Sequence, residues 1–205
     1  MNDTTWGSVA KTHDKVEPKA QAVFIDPNMY MASVENRIYF YMDINQATVL
    51  KLNHRVRELS NNLIANAIIQ EREPAKLFLH INSFGGSVFA GLSSHDEIKN
   101  CKVPVVTIID GSCASAATFL SIAGSHRIIR PNAFMLIHQL SATTWGKYRE
   151  LKDEHINHTK LMGVIKQMYA RYTKIPTKKV DEILDHDLWF DAKTCLRYGL
   201  VDEIQ

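Results

Sequence analysis

The sequence predicts an α/β fold whose sheet is largely parallel, and two observations support this prediction. Short runs of β-branched and aromatic residues alternate with longer segments in which apolar residues recur three and four positions apart. Two of the short runs, 77–81 and 104–109, are mostly apolar, which is typical of strands that are covered on both faces. Strand, turn and helix repeated in this way build a parallel sheet with helices packed against it.

The first predicted unit is a strand followed by a long helix. Residues 37–41 are mostly β-branched and aromatic, which predicts a strand. Residues 45 to about 70 predict a helix with one apolar stripe, which we expect to face the core. The stripe consists of Val49, Leu52, Val56, Leu59 and Leu63.

The remaining elements continue the same pattern. Residues 77 to about 100 predict a strand, a glycine turn and a short helix. Residues 104–123 predict a second such unit, with a turn at Gly111 and an alanine-rich helical run from Ala114 to Ala123. The further expected elements are strands at 126–130 and 134–137, helices at about 148–172 and 178–184, and a last helix and strand within 192–204.

The chain is expected to be one domain behind a leader. Residues 1–22 mix Asn, Asp, Thr, Lys and Pro without a period, which predicts a flexible leader, and they contain no run that resembles a signal peptide. Residues 23–205 predict a single domain, because no linker or internal repeat interrupts them.

Composition argues against several classes of function. With 24 Lys and Arg against 22 Asp and Glu, the net charge is +2, and no basic stripe suggests nucleic-acid binding. No run approaches the roughly 18 apolar residues that a membrane helix needs. Three cysteines without a Cys-x-x-Cys pair favour a reducing, cytoplasmic compartment over a disulfide framework or a zinc site. His155 and His158 lie three positions apart, but their charged neighbours indicate a solvated helix face and no metal site.

Two glycine turns at the carboxyl edge of the predicted sheet are the candidate site. Gly85 and Gly86 lack the further residues of a phosphate loop, but they let a backbone N–H approach a substrate oxygen closely. The turn after Gly111 surrounds Ser115 with small residues. A serine hydroxyl needs a base to become a nucleophile, and the base needs a carboxylate to orient it. Without such partners, Ser115 would be a helix cap.

His138 is the preferred base, because it ends a predicted strand on the same edge of the sheet. His54 and His95 are instead expected on helix surfaces. A buried structural histidine is the alternative interpretation of His138. For the carboxylate, Asp185 and Asp187 both precede an apolar segment, and the pattern does not choose between them.

Four groups of residues, in register along 37–204, resemble the family of Clp protease proteolytic subunits, ClpP. They are Ile81-Asn82-Ser83 with Gly85-Gly86, Gly111-x-x-Ala114-Ser115, Pro131-Asn132 with Met135-x-Ile137-His138-Gln139, and Asp187 with Ala192 and Tyr198-Gly199-Leu200-Val201-Asp202. The resemblance implies a ClpP/crotonase-like fold of repeated ββα and βα units, with a protruding helix–strand handle at about 139–172.

The resemblance also implies a serine endopeptidase and assigns its residues. Ser115 would be the nucleophile, His138 the general base and Asp187 the residue that orients the imidazole. The backbone N–H groups of Gly86 and Ala116 would form the oxyanion hole. No metal and no cofactor are implied, since ATP would be used only by the partner unfoldase.

The partners implied by the family are unfolded polypeptides and a Clp-type AAA+ unfoldase. Assembly into heptameric rings is expected, in a double ring or in mixed rings with other ClpP-like subunits, and neither nucleic acid nor membrane is an expected partner. The expected location is the cytoplasm, with a plastid stroma or an infected cell as alternatives.

Several residues depart from the family pattern. Ala116 replaces a usual methionine, 140–145 replaces a glycine-rich strand that binds substrate and helps two rings meet, and His186 replaces an arginine at the ring junction. His80 and Asp110 occupy positions that are often aromatic or apolar in the pockets that bind the unfoldase.

Two other functions stay open, and the departures motivate the first of them. One is a non-cleaving or weakly active ring subunit that scaffolds or regulates an active partner. The other is an acyl-CoA enzyme of the crotonase type, because that fold also binds an oxyanion with two N–H donors but needs no serine and histidine pair.

Overall fold

The computed structural model describes residues 31–205, so the predicted leader, 1–22, lies outside the described residues. The strands are β1 (Met31–Val34), β2 (Arg37–Phe40), β3 (Leu77–Ser83), β4 (Val105–Ala114), β5 (His126–Ile129), β6 (Phe134–Leu136), β7 (Trp189–Phe190) and β8 (Glu203–Ile204). The helices are α1 (Gln46–Ile69), α2 (Val88–Lys99), α3 (Ala117–Ile122), α4 (Tyr148–Tyr172), α5 (Thr177–Leu184) and α6 (Ala192–Arg197).

One sheet organises the described chain, in the strand order β1-β2-β3-β4-β5-β8. The pairs β2–β3, β3–β4, β4–β5 and β5–β8 are parallel, which confirms the predicted parallel sheet. Strand β1 pairs with β2 in the antiparallel sense and was not predicted. At the carboxyl end of β4, β6 pairs in parallel with β4, and β7 pairs antiparallel with β6.

The main core lies between the sheet and the helices. In α1 the predicted stripe is buried at Val49, Leu52, Val56 and Leu59, whereas Leu63 at its end is only partly buried. The helix begins where Asn45 accepts a hydrogen bond from the backbone N–H of Thr48, a capping contact that satisfies a free donor of the first turn. The stripe packs with Leu77, Leu79 and Ile81 of β3 in one cluster.

The prediction of a turn at Gly111 and a helix from Ala114 is wrong. Strand β4 continues through both residues, and α3 begins only at Ala117. The strand continues because residues 112–114 pair with β6 and because the N–H of Ser112 donates to the side chain of Asn82 at 2.9 Å. A Cβ at 111 would lie 2.9 Å from Oδ1 of Asn82, so a side chain there would displace the amide that accepts from Ser112.

Helix α4 is the helical part of the predicted handle. Ile165 and Met168 in its second half are buried, whereas Leu151 near its start is exposed, because the first turns of α4 extend beyond the core. The strand part of the handle is not formed within the described chain, since residues 137–147 have no regular secondary structure. Across residues 31–205, every helix is too short or too polar to cross a bilayer.

Candidate active site

Ser115 forms a sharp elbow between β4 and α3. Its φ of +55° lies in the left-handed region, which costs a non-glycine residue about 1–2 kcal/mol. The backbone holds this conformation through a hydrogen bond from the N–H of Ser115 to the carbonyl of Leu136 at 2.8 Å. The elbow turns the serine out of the direction of β4, and its side chain is partly exposed.

The glycine turn lies directly against this elbow. A Cβ on Gly85 would lie 2.6 Å from the carbonyl oxygen of Ala114 and 3.0 Å from the backbone nitrogen of Ala116. A Cβ on Gly86, whose φ is +142°, would lie 2.2 Å from the carbonyl oxygen of Ile44. Both positions therefore need glycine, as much for the close backbone approach as for the conformation.

Hydrogen bonds fix the glycine turn to the segment that precedes α1. The N–H of Ile44 donates to the carbonyl of Gly85 at 2.8 Å, and the N–H of Ser87 donates to the carbonyl of Ile44 at 2.7 Å. Within residues 31–205, the N–H groups of Gly86 and Ala116 donate to no other protein group. The turn and the elbow thus present two unpaired donors next to each other.

Of the two candidate carboxylates, the structure brings Asp187 to His138. Nδ1 of His138 lies 3.3 Å from Oδ1 of Asp187. Asp185 instead ends α5, where its N–H donates to the carbonyl of Asp181. The N–H of Gln139 donates to the carbonyl of Leu184 at 2.7 Å, which joins the segment after His138 to the end of α5. The carboxylate of Asp187 is 76% exposed, so solvent weakens its field at the imidazole.

The predicted nucleophile, base and oxyanion donors all line one cavity of about 90 Å³. Its polar side is formed by Ser115, His138 and the two residues with unpaired N–H groups, Gly86 and Ala116. The other residues that line it are Val88, Phe119, Gln139, Leu140, Ser141, Ile165 and Tyr169, most of which are apolar or aromatic. No hydrogen bond joins the hydroxyl of Ser115 to another group of residues 31–205. A larger cavity of about 540 Å³ lies between β1 and α1, and none of these residues lines it.

The expectation that His95 lies on a helix surface is wrong. Its side chain is buried, and Nδ1 lies 2.9 Å from the carbonyl oxygen of Phe119 in α3. A carbonyl only accepts hydrogen bonds, so Nδ1 of His95 carries the proton. Burial lowers the pKa of His95, and the hydrogen bond to Phe119 opposes this change only in part. His54, in contrast, is exposed as predicted.

A second polar cluster joins Tyr41, directly after β2, to β3 and β4, and none of its residues lines the cavity. Nδ1 of His80 lies 2.8 Å from Oδ2 of Asp110, and the hydroxyl of Tyr41 donates to the same oxygen at 2.6 Å. Burial by itself raises the pKa of Asp110, but the hydrogen bonds from His80 and Tyr41 outweigh it, so this pKa is lowered. His80 and Asp110, two of the positions that depart from the family pattern, are thus in direct contact.

No group of three His, Cys, Asp or Glu side chains in residues 31–205 is arranged to hold a metal ion. The two histidines that share a face of α4 are no exception, since His158 pairs with Glu154 at 3.6 Å.

Comparisons with known proteins agree on one family. The model of the Clp protease family matches residues 33–205. The ATP-dependent Clp protease proteolytic subunit 1 of Streptomyces coelicolor is 36% identical over 152 residues, which span 72% of this chain and 68% of that protein. The corresponding subunit of Oltmannsiellopsis viridis is 29% identical over 192 residues, which span 92% of this chain and 91% of that protein. A solved ClpP1 mutant from Listeria monocytogenes is similar with a TM-score of 0.72 and 25% identity, over 83% of this chain and 91% of that chain.

Proposed function

The chain belongs to the Clp protease family, a family of serine peptidases, and from this premise we propose that it is an active endopeptidase subunit that hydrolyses peptide bonds of unfolded polypeptides. One observation carries the proposal. The hydroxyl of Ser115, the imidazole of His138 and the unpaired N–H groups of Gly86 and Ala116 line the same small cavity. This set of groups is the one that acyl transfer through a serine requires.

In the proposed reaction, Oγ of Ser115 attacks the carbonyl carbon of the scissile peptide while Nε2 of His138 takes the hydroxyl proton. Nδ1 of His138 faces Asp187, which leaves Nε2 for the serine, and the carboxylate stabilises the imidazolium that forms. The N–H groups of Gly86 and Ala116 donate to the oxyanion. His138 then gives its proton to the leaving amine, and the acyl-enzyme is released by a water molecule that His138 deprotonates in turn.

We also propose that the chain works in rings and receives substrate from a Clp-type unfoldase that uses the ATP. The heptameric double ring of the family is the arrangement we expect. An assembly is supported by Phe84 and Leu188, which are 71% and 62% exposed in the single chain although both are large and apolar. A cytoplasmic location is supported by the free thiols of Cys113 and Cys195, which are both buried and unpaired.

A non-cleaving ring subunit is the second candidate function. Two observations favour this function: the carboxylate of Asp187 is exposed, and the hydroxyl of Ser115 makes no hydrogen bond within residues 31–205. A working triad needs both the contact between aspartate and histidine and the contact between histidine and serine. The acyl-CoA alternative has no such support, since the whole of residues 33–205 matches the Clp protease family.

Labelling with a fluorophosphonate, followed by mapping of the adduct, separates the two functions. We expect the adduct on Ser115, none in Ser115→Ala and strongly reduced labelling in His138→Ala. Ser141→Ala is the matched control for the site of labelling, because Ser141 is the other serine that lines this cavity, and the adduct should stay on Ser115 in that variant. Assembled protein that does not react at Ser115 would support the non-cleaving subunit.

A further inference from the structure

A buried chain of hydrogen bonds connects α4 to the backbone of the proposed nucleophile. The hydroxyl of Tyr169 lies 2.6 Å from Oγ1 of Thr118, and Oγ1 of Thr118 lies 2.6 Å from the carbonyl oxygen of Ser115. The side chains of Thr118 and Tyr169 are 0% and 1% exposed. Three residues from α3, α4 and the elbow are thus joined where water does not compete.

The direction of these hydrogen bonds follows from the groups involved. A carbonyl oxygen only accepts, so the one hydroxyl proton of Thr118 is donated to Ser115. Tyr169 must then donate its own proton to Thr118, because only this assignment satisfies both short contacts. Burial raises the pKa of Tyr169, so the phenol keeps the proton that it donates.

The carbonyl of Ser115 belongs to the same peptide plane as the N–H of Ala116. A trans peptide is planar, and its C=O and N–H bonds point in opposite directions. The carbonyl accepts from Oγ1 of Thr118 at 2.6 Å and from the N–H of Thr118 at 3.0 Å. These two hydrogen bonds therefore also fix the direction in which the N–H of Ala116 points.

We propose that Thr118 and Tyr169 are positioning residues that hold the peptide between Ser115 and Ala116 so that its N–H binds the oxyanion. This inference rests on the proposed function of Ser115 and Ala116. The φ of +55° at Ser115 makes such support necessary, because the left-handed region is unfavourable for serine. In this role, the hydroxyl groups of Thr118 and Tyr169 make no contact with the reacting atoms and act only through the carbonyl of Ser115.

The first test separates kcat from KM for hydrolysis of a short unstructured peptide. Thr118→Val removes the hydroxyl but keeps the shape, and we expect kcat to fall about tenfold or more with KM nearly unchanged. Thr118→Ser keeps the hydroxyl and should restore most of the rate. Tyr169→Phe should lose less, and its combination with Thr118→Val should be no worse than Thr118→Val alone, because Tyr169 acts through Thr118.

Thr107→Val is the matched control. Thr107 is equally buried, and its hydroxyl also donates to a carbonyl of α3, that of Ser121 at 2.8 Å. A loss of one buried hydrogen bond should lower stability in both valine variants, but only Thr118→Val should lower kcat. Equal kcat values in the wild type and in folded Thr118→Val would overturn the proposal.

Hydrogen exchange provides a second readout that does not depend on catalysis. The N–H groups of Thr118 and Phe119 donate to the carbonyls of Ser115 and Ala116. We expect faster exchange of these two amides in Thr118→Val than in the wild type, Thr118→Ser or Thr107→Val. Unchanged exchange would overturn the positioning role. A wild-type protein that never reacts at Ser115 would overturn the proposed function instead, and the exchange result would still decide whether Thr118 holds the elbow.

Discussion

The N–H of Ser115 donates to the carbonyl of Leu136 at 2.8 Å, and Leu136 is the last residue of β6. His138 follows two positions later. Strands β4 and β6 are paired here so that Ala114 faces Leu136. This register, together with the hydrogen bond, sets the position of the proposed base relative to the proposed nucleophile. The proposed catalytic pair depends on the register of two strands and not on a flexible loop.

A side chain at Gly86 should damage the site through the backbone. Gly86→Ala would place a Cβ 2.2 Å from the carbonyl oxygen of Ile44, so the turn must move and take its N–H with it. We expect kcat/KM to fall on the order of a hundredfold, the effect of losing one oxyanion donor.

The control for this variant is Gly163→Ala in α4, where a Cβ meets nothing within 4 Å. It should keep full activity and raise the free energy of unfolding by about 0.5–1 kcal/mol, because alanine favours the helix. A Gly86→Ala variant as active as Gly163→Ala would contradict the role of the turn.

Asp187→Asn should slow peptide hydrolysis because the imidazolium loses its counter-charge. The carboxylate is 76% exposed, so we expect a smaller loss than the roughly 10⁴-fold effect of removing a buried triad aspartate, on the order of tenfold to a hundredfold. Steady-state kinetics of Asp187→Asn and Asp185→Asn give a direct comparison. A slower Asp185→Asn beside a fully active Asp187→Asn would show that the wrong carboxylate has been assigned.

The stability of the fold should depend on pH through His95. Because burial lowers the pKa of His95 below its ordinary 6.5, the unfolded chain binds a proton that the folded chain does not. The contribution of His95 is therefore fully present above about pH 6.5 and decreases as the pH falls toward the lowered value.

Urea unfolding at pH 7.5, 6.5 and 5.5 measures this dependence. In His95→Asn the amide keeps a donor near the Phe119 carbonyl but does not titrate, so the free energy of unfolding should change less with pH. The control is His54→Asn at an exposed histidine, in which the free energy of unfolding should change with pH as much as in the wild type. Identical slopes in all three proteins would exclude His95 as the cause.

Assembly should be visible by sedimentation. At micromolar concentration between pH 6 and 8 we expect a species several times larger than one chain, because exposed Phe84 and Leu188 are then covered. Monomer alone over this range would refute the ring model and leave the exposed apolar residues without a function in assembly.

The sequence predicts the long, periodic elements well and the short ones poorly. The stripe of α1 and the apolar run of β3 are local patterns, so they are visible in a single chain. Strand β7 has only two residues and exists because Met135 and Leu136 pair with it, and no local pattern indicates such a contact.

The same holds for the candidate site. The sequence predicts Ser115 and His138 from their places at strand ends, and the structure brings both to one cavity. The choice of Asp187 over Asp185 comes from the family resemblance, because the local pattern does not distinguish the two carboxylates. The sequence does not predict the end of β4, because Gly111 suggests a turn, whereas in the structure Gly111 lies within the strand and packs against the side chain of Asn82. Long-range contacts of this kind cannot be read from one segment.

Cleavage of a short unstructured peptide by the purified, assembled chain without ATP tests the central claim most directly. We predict slow hydrolysis that is lost in Ser115→Ala and kept in Ser93→Ala, whose serine is exposed on α2 and does not line the cavity, with no degradation of a folded protein under the same conditions. Hydrolysis that persists in Ser115→Ala, or an assembled wild-type chain that cleaves no peptide with or without an unfoldase, would contradict it.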